Sequence, residues 1–432
     1  MSIDRQPLEL NSDFQYVLDA LEKQRKHLFV TGRAGTGKST LLQLFKHTSR
    51  KKMVVLAPTG VAALNVGGQT IHSFFGFPPR LIPRTEIKKR RDRRLYKNLE
   101  VLVIDEISMV RADLLDNIDY FLRLNRENSA PFGGVQVVFF GDLFQLPPVI
   151  ASDSEAQLFL SYYDSPYFFS AKVFQDGFQM EMIELQKVYR QENKGFLKLL
   201  DAVRLNRIAR EEMEALNSRY LSDFQPQDFY ITLTARNNRA NEINQQELKK
   251  IPLPAEIYLA TITGDFNPLL FPTEAALQLK LNAQVMFIKN DPKKQFVNGT
   301  IGKIVKLEKN LITVMVEEKQ GERRYVEAEP MDWEIIRYKL NDKDPSQIEM
   351  EVIGTFRQLP LKLAWAVTIH KSQGKTFDKV IIDMGMGAFE HGQTYVALSR
   401  CRTLEGIVLR QPIRPKDILT DERVVEFYEQ NF

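Results

Sequence analysis

Eight consecutive residues, Gly32-Arg33-Ala34-Gly35-Thr36-Gly37-Lys38-Ser39, carry the spacing G-x-x-x-x-G-K-[ST]. Three glycines let a loop wrap closely and turn its backbone N–H groups inward, Lys38 brings a cation to β and γ phosphates, and Ser39 offers a hydroxyl to Mg2+. That is the chemistry of a phosphate cradle; a glycine-rich structural turn is the other reading. Asp105-Glu106 follows the apolar run VLVI, so two carboxylates leave one element together. One suits a metal, and its neighbour suits orienting and deprotonating a water. Acidic pairs also favour helix N-termini, which is the plainer reading of the same two residues. In GDLFQLPPV, at 141–149, Asp142 and Gln145 follow another apolar run, and Gln145 is placed to sense a terminal phosphate or a bound water. Its alternative is a polar loop stopped by two prolines.

These residues need a scaffold that brings them to one edge. Short β-rich runs, HLFVT at 27–31, MVVLAP at 53–58, VLVID at 101–105 and VQVVFFG at 135–141, alternate with helix-period segments. Among the latter, Leu114, Leu115, Ile118, Phe121 and Leu122 draw one apolar face on a helix ending near Arg126. The alternation predicts a parallel sheet covered by helices, which places ligands at the carboxyl ends of its strands. The phosphate loop follows HLFVT and opens the helix STLLQLF, the context its spacing requires. A second α/β half is predicted from FYITLT at 229–234, LAWAVTIH at 363–370 and KVIID at 379–383 as strands, with TYVALSRC at 394–401 as a helix. Between them, alternating strands and the turn signals Asn298-Gly299 and Gly321 predict a small all-β insertion over 296–355. The Phe-rich stretch 64–82, broken by Gly67-Gly68 and Pro78-Pro79, reads as a shorter insertion.

At 432 residues, with 44% hydrophobic residues and 28 Phe, the chain divides into several folded units, and a small module or a disordered chain is excluded. One cysteine, Cys401, excludes an internal disulfide and a cysteine-rich zinc site. No apolar run reaches the length of a membrane helix, and MSIDRQPLEL lacks the core of a secretory signal, so a cytoplasmic, nucleoid-associated protein is expected. Net charge is only +4, yet eight basic residues against Glu86 and Asp92 crowd residues 84–97. That run is either a solvated face or a contact for duplex or tail phosphates.

Taken in order, the phosphate loop, APTGVAALNVGGQTIHSFF, VLVIDEISMV, GDLFQLPPV, TIHKSQGKTFD and YVALSRCR resemble the motifs of superfamily-one helicases. The chain is most similar to the petite integration frequency (PIF-type) family of DNA helicases, and EISMVRADLLDNIDYFLRLNR, 106–126, resembles the segment that sets that family apart. The resemblance implies two RecA-like P-loop NTPase domains, 1–63 with 83–180 and 181–295 with 356–432. It makes 64–82 a pin and 296–355 a Src-homology-3-like barrel. ATP is implied to lie on Gly32, Gly35, Thr36, Gly37, Lys38, Ser39 and Thr40, with Gln145 and Gly374 beside it and Mg2+ on Ser39 and Asp105. Gln15 falls where the family reads adenine, although Ser12-x-x-Gln15 is equally a capping box. Catalysis is implied for Lys38, Asp105, Glu106 and Gln145, with Arg190 and Arg400 reaching the γ-phosphate from the second domain.

For nucleic acid the resemblance implies Pro58, Thr59, His72, Phe74 and Phe75 in the first domain and Thr234, His370, Lys371 and Ser372 in the second. An aromatic pair such as Phe74-Phe75 is as readily core as a base platform. The implied activity is ATP-driven 5′–3′ translocation on single-stranded DNA with unwinding of forked duplexes, G-quadruplexes or RNA–DNA hybrids by a monomer, in replication, repair, recombination or telomere-type maintenance. An RNA helicase of the same superfamily and a nucleotide-switched binding protein are the alternatives. The short flanks around the motifs suggest a minimal, bacterial-type core.

Overall fold

Strands that read as unbroken apolar runs are buried along their whole length: Leu28–Gly32, Val101–Ile104 and Gln136–Phe140 have no exposed residue. That is what a parallel sheet covered on both faces demands. The structure, a computed structural model, describes residues 10–150, 153–318 and 322–432. Residues 1–9, which carry most of the N-terminal segment read for targeting, and the turn at Gly321 lie outside the described residues.

The first part runs α1 (Ser12–Glu22), β1 (Leu28–Gly32), α2 (Lys38–Thr48), β2 (Met53–Ala57), α3 (Gly60–Val66), β3 (Gln69–Thr70), α4 (Ile71–Phe75), α5 (Arg94–Asn98), β4 (Val101–Ile104), α6 (Ala112–Arg126), β5 (Gln136–Phe140), α7 (Asp153–Leu160) and β6 (Glu181–Leu185). Its sheet has the order β3-β2-β4-β5-β1-β6, parallel throughout. The phosphate loop, Asp105 and Asp142 therefore leave the adjacent strands β1, β4 and β5 at one edge. Helix α6 forms where its apolar stripe predicts and ends at Arg126, where Glu127 takes a left-handed turn and closes the helix.

Two boundaries move. β6 pairs with β1 from Leu28↔Glu181 to Gly32↔Leu185, so the first domain extends past residue 180. A half-exposed edge strand has neither the unbroken apolar run nor the clean alternation that would reveal it. The 64–82 stretch is also no free-standing pin: β3 is an edge strand of the main sheet, and α4 buries Phe74 and Phe75 in its core.

The chain continues through α8 (Lys194–Arg204), α9 (Arg210–Asn217), β7 (Ile231–Thr234) and α10 (Asn237–Lys250), then, among the described residues, ten β-strands. These are β8 (Ala255–Leu259), β9 (Thr261–Gly264), β10 (Ala276–Lys280), β11 (Gln284–Phe287), β12 (Ile301–Leu307), β13 (Ile312–Glu317), β14 (Arg323–Ala328), β15 (Met331–Leu340), β16 (Ile348–Gln358) and β17 (Leu361–Leu363). It closes with β18 (Ala366–Thr368), β19 (Val380–Asp383), α11 (Gln393–Ser399), β20 (Ile407–Leu409) and α12 (Glu422–Asn431). The second parallel sheet is β18-β7-β19-β20. The all-β region is wider than 296–355: the antiparallel sheet β14-β13-β12-β11-β17 draws strands from both sides of that range and has its own core around Phe287, Val314 and Leu361.

The β15–β16 hairpin, joined by β9, reaches the first domain. β3 is only two residues long, and beyond it the Val55 N–H donates to the Tyr338 hydroxyl at 3.0 Å, while the Tyr338 N–H donates to Gln69 Oε1 at 3.2 Å. The hairpin thus satisfies backbone that the short edge strand leaves unpaired. Among the described residues no helix is long and apolar enough to cross a membrane.

Candidate nucleotide and nucleic-acid sites

A cavity of about 1060 Å3 opens where the two parallel-sheet domains meet. Its walls include Gly35, Thr36, Gly37, Lys38, Ser39 and Thr40 from the loop before α2, Glu106 and Gln145 from the same sheet edge, and Arg190, Gly374 and Arg400 from across the cleft. Most of the ATP residues expected from the sequence are thus brought together. The close fit is visible at Gly35, φ +90°, where a Cβ would come 2.5 Å from the Arg190 Cβ; only glycine lets the two domains approach there.

Electrostatics follow from crowding charges in a dry cleft. Lys38 Nζ donates to the Gly32 and Arg33 carbonyls at 2.6 and 3.1 Å, and burial lowers its pKa against the pull of Asp142 and Glu106. Burial, then repulsion from Arg400, pulls the Arg190 guanidinium down to about 9, and burial draws Arg400 down to about 10. Opposite them, burial and then Glu106 push the Asp105 carboxyl up to about 7, and Glu106 is raised by its own burial. Glu106 also sits at φ +52°, ψ +45°, a left-handed conformation costing roughly 1 kcal/mol or more for a non-glycine residue.

The arginines are placed by neighbours. Arg190 Nη1 donates to the Ser399 carbonyl at 3.0 Å, and Gln191 Nε2 donates to the Ser399 and Cys401 carbonyls at 3.1 and 2.9 Å. Arg400 donates through Nε to the Val396 carbonyl at 2.9 Å and through Nη2 to Ser399 Oγ at 2.7 Å. The Ala34 N–H donates to the Tyr395 hydroxyl at 3.0 Å, so α11 touches the phosphate loop directly. Tyr395, Gln191 and the cavity-lining Phe14 and Tyr189 escaped the sequence reading. Tyr395 lies inside YVALSRCR, the one signal that could have found it.

Gln15 is corrected. Asn11, not Ser12, caps α1, with its Oδ1 accepting the Phe14 N–H at 2.8 Å. Gln15 is exposed, donates to Asp19 at 3.3 Å, and does not line the cavity; Phe14, one residue earlier, does. One helical step of 100° separates the two faces.

The expected strand contacts divide by burial. Thr59 and Lys371 are exposed and Pro58, His72 and His370 half-buried, with His370 Nε2 3.0 Å from Glu390 Oε2. Four are core instead. Phe74 and Phe75 stack edge-to-face at 4.9 Å in a cluster with Phe77, Tyr96 and Phe121. Thr234 and Ser372 are buried, their hydroxyls donating to the Arg236 and Ile369 carbonyls at 3.0 and 2.6 Å. Their side chains fix loop shape and offer a strand no surface.

Two lysines the sequence reading passed over, Lys362 and Lys375, add charge beside Lys371. Lys375 is pulled down to about 8 by burial and then by Lys362. The 84–97 run is partly self-neutralised. Lys89, Arg93 and Lys97 converge on Glu127 at 3.1, 2.6 and 3.0 Å, Arg94 pairs with Asp92, and Lys88 and Arg91 stay exposed.

A cradle on one parallel-sheet domain, faced by two arginines from a second, defines a two-domain P-loop NTPase of the superfamily-one helicase type. The profile described as PIF1-like helicase matches residues 9–214. The chain is 32% identical to the ATP-dependent DNA helicase Pif1 of Bdellovibrio bacteriovorus, over 98% of this chain and 92% of that one. It is 34% identical to the zebrafish and human ATP-dependent DNA helicases PIF1, but spans only 61% and 63% of their lengths. This chain belongs to the PIF1-like helicase family. Among solved structures, Bacteroides sp. Pif1 with ADP-AlF4 superposes with a TM-score of 0.91 at 38% identity, covering 98% of this chain and 97% of that one. The single-stranded-DNA complex of Bacteroides Pif1 matches over the same coverage with a TM-score of 0.69. Unliganded Bacteroides sp. Pif1 superposes with a TM-score of 0.88, so the arrangement here is nearer to the ADP-AlF4 and unliganded structures than to the single-stranded-DNA complex.

Proposed function

We propose that this chain is an ATP-dependent DNA helicase that moves 5′ to 3′ along single-stranded DNA and opens forked duplexes. The observation that carries it is the shared cavity: Lys38, Glu106 and Gln145 on one domain face Arg190 and Arg400 on the other. Lys38 and the loop N–H groups hold the phosphates, Glu106 takes a proton from the attacking water, and the arginines stabilise the charge that develops on the γ-phosphate. Because those arginines ride on the second domain, hydrolysis and release change how tightly the cleft closes. A grip alternating between the Thr59 region and the His370-Lys371 region then advances the protein along the strand.

The donor set fits Mg2+: Ser39 supplies a hydroxyl, and Asp105 a carboxylate whose ionisation its surroundings oppose until a cation arrives. These two residues would hold the ion, which would neutralise phosphate charge. Among the described residues no group of three or more His, Cys, Asp or Glu could hold a metal ion by itself. Forks and G-quadruplexes are the proposed substrates, a monomer the acting form, and the nucleoid the place of action. Relatives named as DNA helicases, and a Pif1 complex with forked double-stranded DNA, support the DNA reading.

The test is unwinding of matched duplexes carrying a 5′ or a 3′ single-stranded tail, with ATPase rates with and without single-stranded DNA or RNA at stated salt. Unwinding of the 5′-tailed duplex only, with DNA-stimulated ATPase, is expected. No stimulation by either polymer refutes the translocase, and a 3′-tail preference refutes the polarity.

A further inference from the structure

One fully buried charge has no part in the chemistry above. Arg204, the last residue of α8, is 3% exposed, and its guanidinium lies between the Gln145 loop and α12. Nη2 is 3.5 Å from Asp142 Oδ1 and Nη1 is 3.4 Å from Glu184 Oε1. Its carbon sits 4.3 Å from the centroid of Phe144 and 5.0 Å from that of Tyr428. The Tyr428 hydroxyl donates to Glu184 at 2.8 Å. Among the described residues no group hydrogen-bonds Nε or Nη2. Charge and aromatic faces hold this guanidinium, with little directional bonding.

Asp142 passes the contact on. Its Oδ1 accepts the Phe144 N–H at 3.2 Å, and its Oδ2 accepts the Gln145 side-chain amide at 3.0 Å. Gln145 lines the nucleotide cavity, so a chain of contacts runs unbroken from α8 to the site of hydrolysis. The carboxylate is 1% exposed and depends on a buried partner: removing one member of such a pair strands the other charge.

The Gln145 loop is also gripped from the second domain. His391 Nε2 bonds the Leu143 carbonyl at 2.8 Å, and Gly392, φ +71°, lies where a Cβ would collide with the Phe144 and Gln145 carbonyls. Gly392 caps α11, the helix bearing Tyr395 and leading into Arg400, and α8 packs against α11. Arg190 and Gln191, just before α8, are tied to the end of the same helix. The position of the arginine-bearing helix is thus mechanically linked to Arg204.

We infer that Arg204 is a positioning residue for hydrolysis: through Asp142 it sets the Gln145 amide in the nucleotide cavity according to where the second domain stands. The inference rests on the ATPase reading and goes beyond it, because Arg204 does not line the nucleotide cavity and lies outside every motif read from the sequence.

The test uses the full chain with Arg204→Met, which keeps length and apolar contact with Phe144 and Tyr428 but removes the charge, together with Arg204→Lys, Asp142→Asn, Gln145→Ala and the Arg204→Met/Gln145→Ala double variant. ADP and ADP-AlF4 are the binding probes. Arg204→Met is expected to bind ADP and keep its KM for ATP within threefold of wild type. Its kcat should fall at least tenfold, and it should lose the tighter binding of ADP-AlF4 over ADP. Arg204→Lys should recover part of kcat, and the double variant should be no slower than Gln145→Ala alone. Effects of Arg204→Met and Gln145→Ala that multiply in the double variant, or a loss confined to KM, would overturn the assignment. If Arg204→Met does not fold, Asp142→Asn decides by the same measurements, and wild-type behaviour there refutes the relay. Absence of DNA stimulation in the wild type would sink the translocase reading alone, since kcat and ADP-AlF4 binding are read without DNA.

Discussion

Asp105→Asn should make the protein more stable and less active, by an amount that depends on pH. Asp105 is 9% exposed beside Glu106, and its carboxyl rises from 3.8 to about 7, first through burial and then through that neighbour. Each pKa unit is worth about 1.4 kcal/mol, so holding this group ionised costs the fold up to roughly 4 kcal/mol. The folded-state pKa is the higher one, so the cost is absent below about pH 3, where both states are protonated. It grows as the unfolded carboxyl ionises first and is complete above about pH 7. Asparagine keeps the shape and cannot ionise. Denaturant unfolding at pH 8 should therefore show the variant more stable by up to roughly 4 kcal/mol, shrinking to roughly 1 kcal/mol at pH 4.5. ADP with Mg2+ should stabilise the wild type more than the variant, since the wild type alone retains the carboxylate proposed to meet the ion. Equal stabilities at pH 8, or a difference unchanged between the two pH values, would refute the argument.

Glu106→Gln should retain nucleotide binding while kcat falls at least a hundredfold, and wild-type kcat should rise with pH as the raised Glu106 carboxyl ionises; steady-state kinetics across pH 5.5–9 check both. Arg400→Ala should keep ADP affinity but lose hydrolysis by roughly 10²–10³-fold, measured as kcat, because the guanidinium acts only on charge that develops in the reaction. Phe75→Ala should cost about 3–5 kcal/mol in unfolding experiments, as expected for a fully buried ring, and leave single-stranded-DNA affinity within threefold under conditions where the variant is folded. A stable Phe75→Ala protein with weakened DNA binding would return that ring to the strand path.

What the order of residues could disclose was whatever depends on local spacing. The loop around Lys38 is legible because backbone N–H groups can converge on a phosphate only from a short glycine-rich string. The strands before Asp105 and Asp142 are legible because a strand buried on both faces must be apolar at every position. Resemblance then supplied Arg190 and Arg400, which no local pattern marks. Tertiary structure decided the rest. Gln15 and Phe14 are neighbours in sequence, yet one helical step turns the phenylalanine into the cavity and the glutamine into solvent. Phe74 and Phe75 are the same aromatic pair whether they stack on bases or on Phe121, and only the closure of α4 over the sheet chose the core. Arg204 meets Asp142 across 62 positions of chain, a pairing that local spacing cannot encode. Charges that far apart along the chain become partners only when the folded structure removes the water between them.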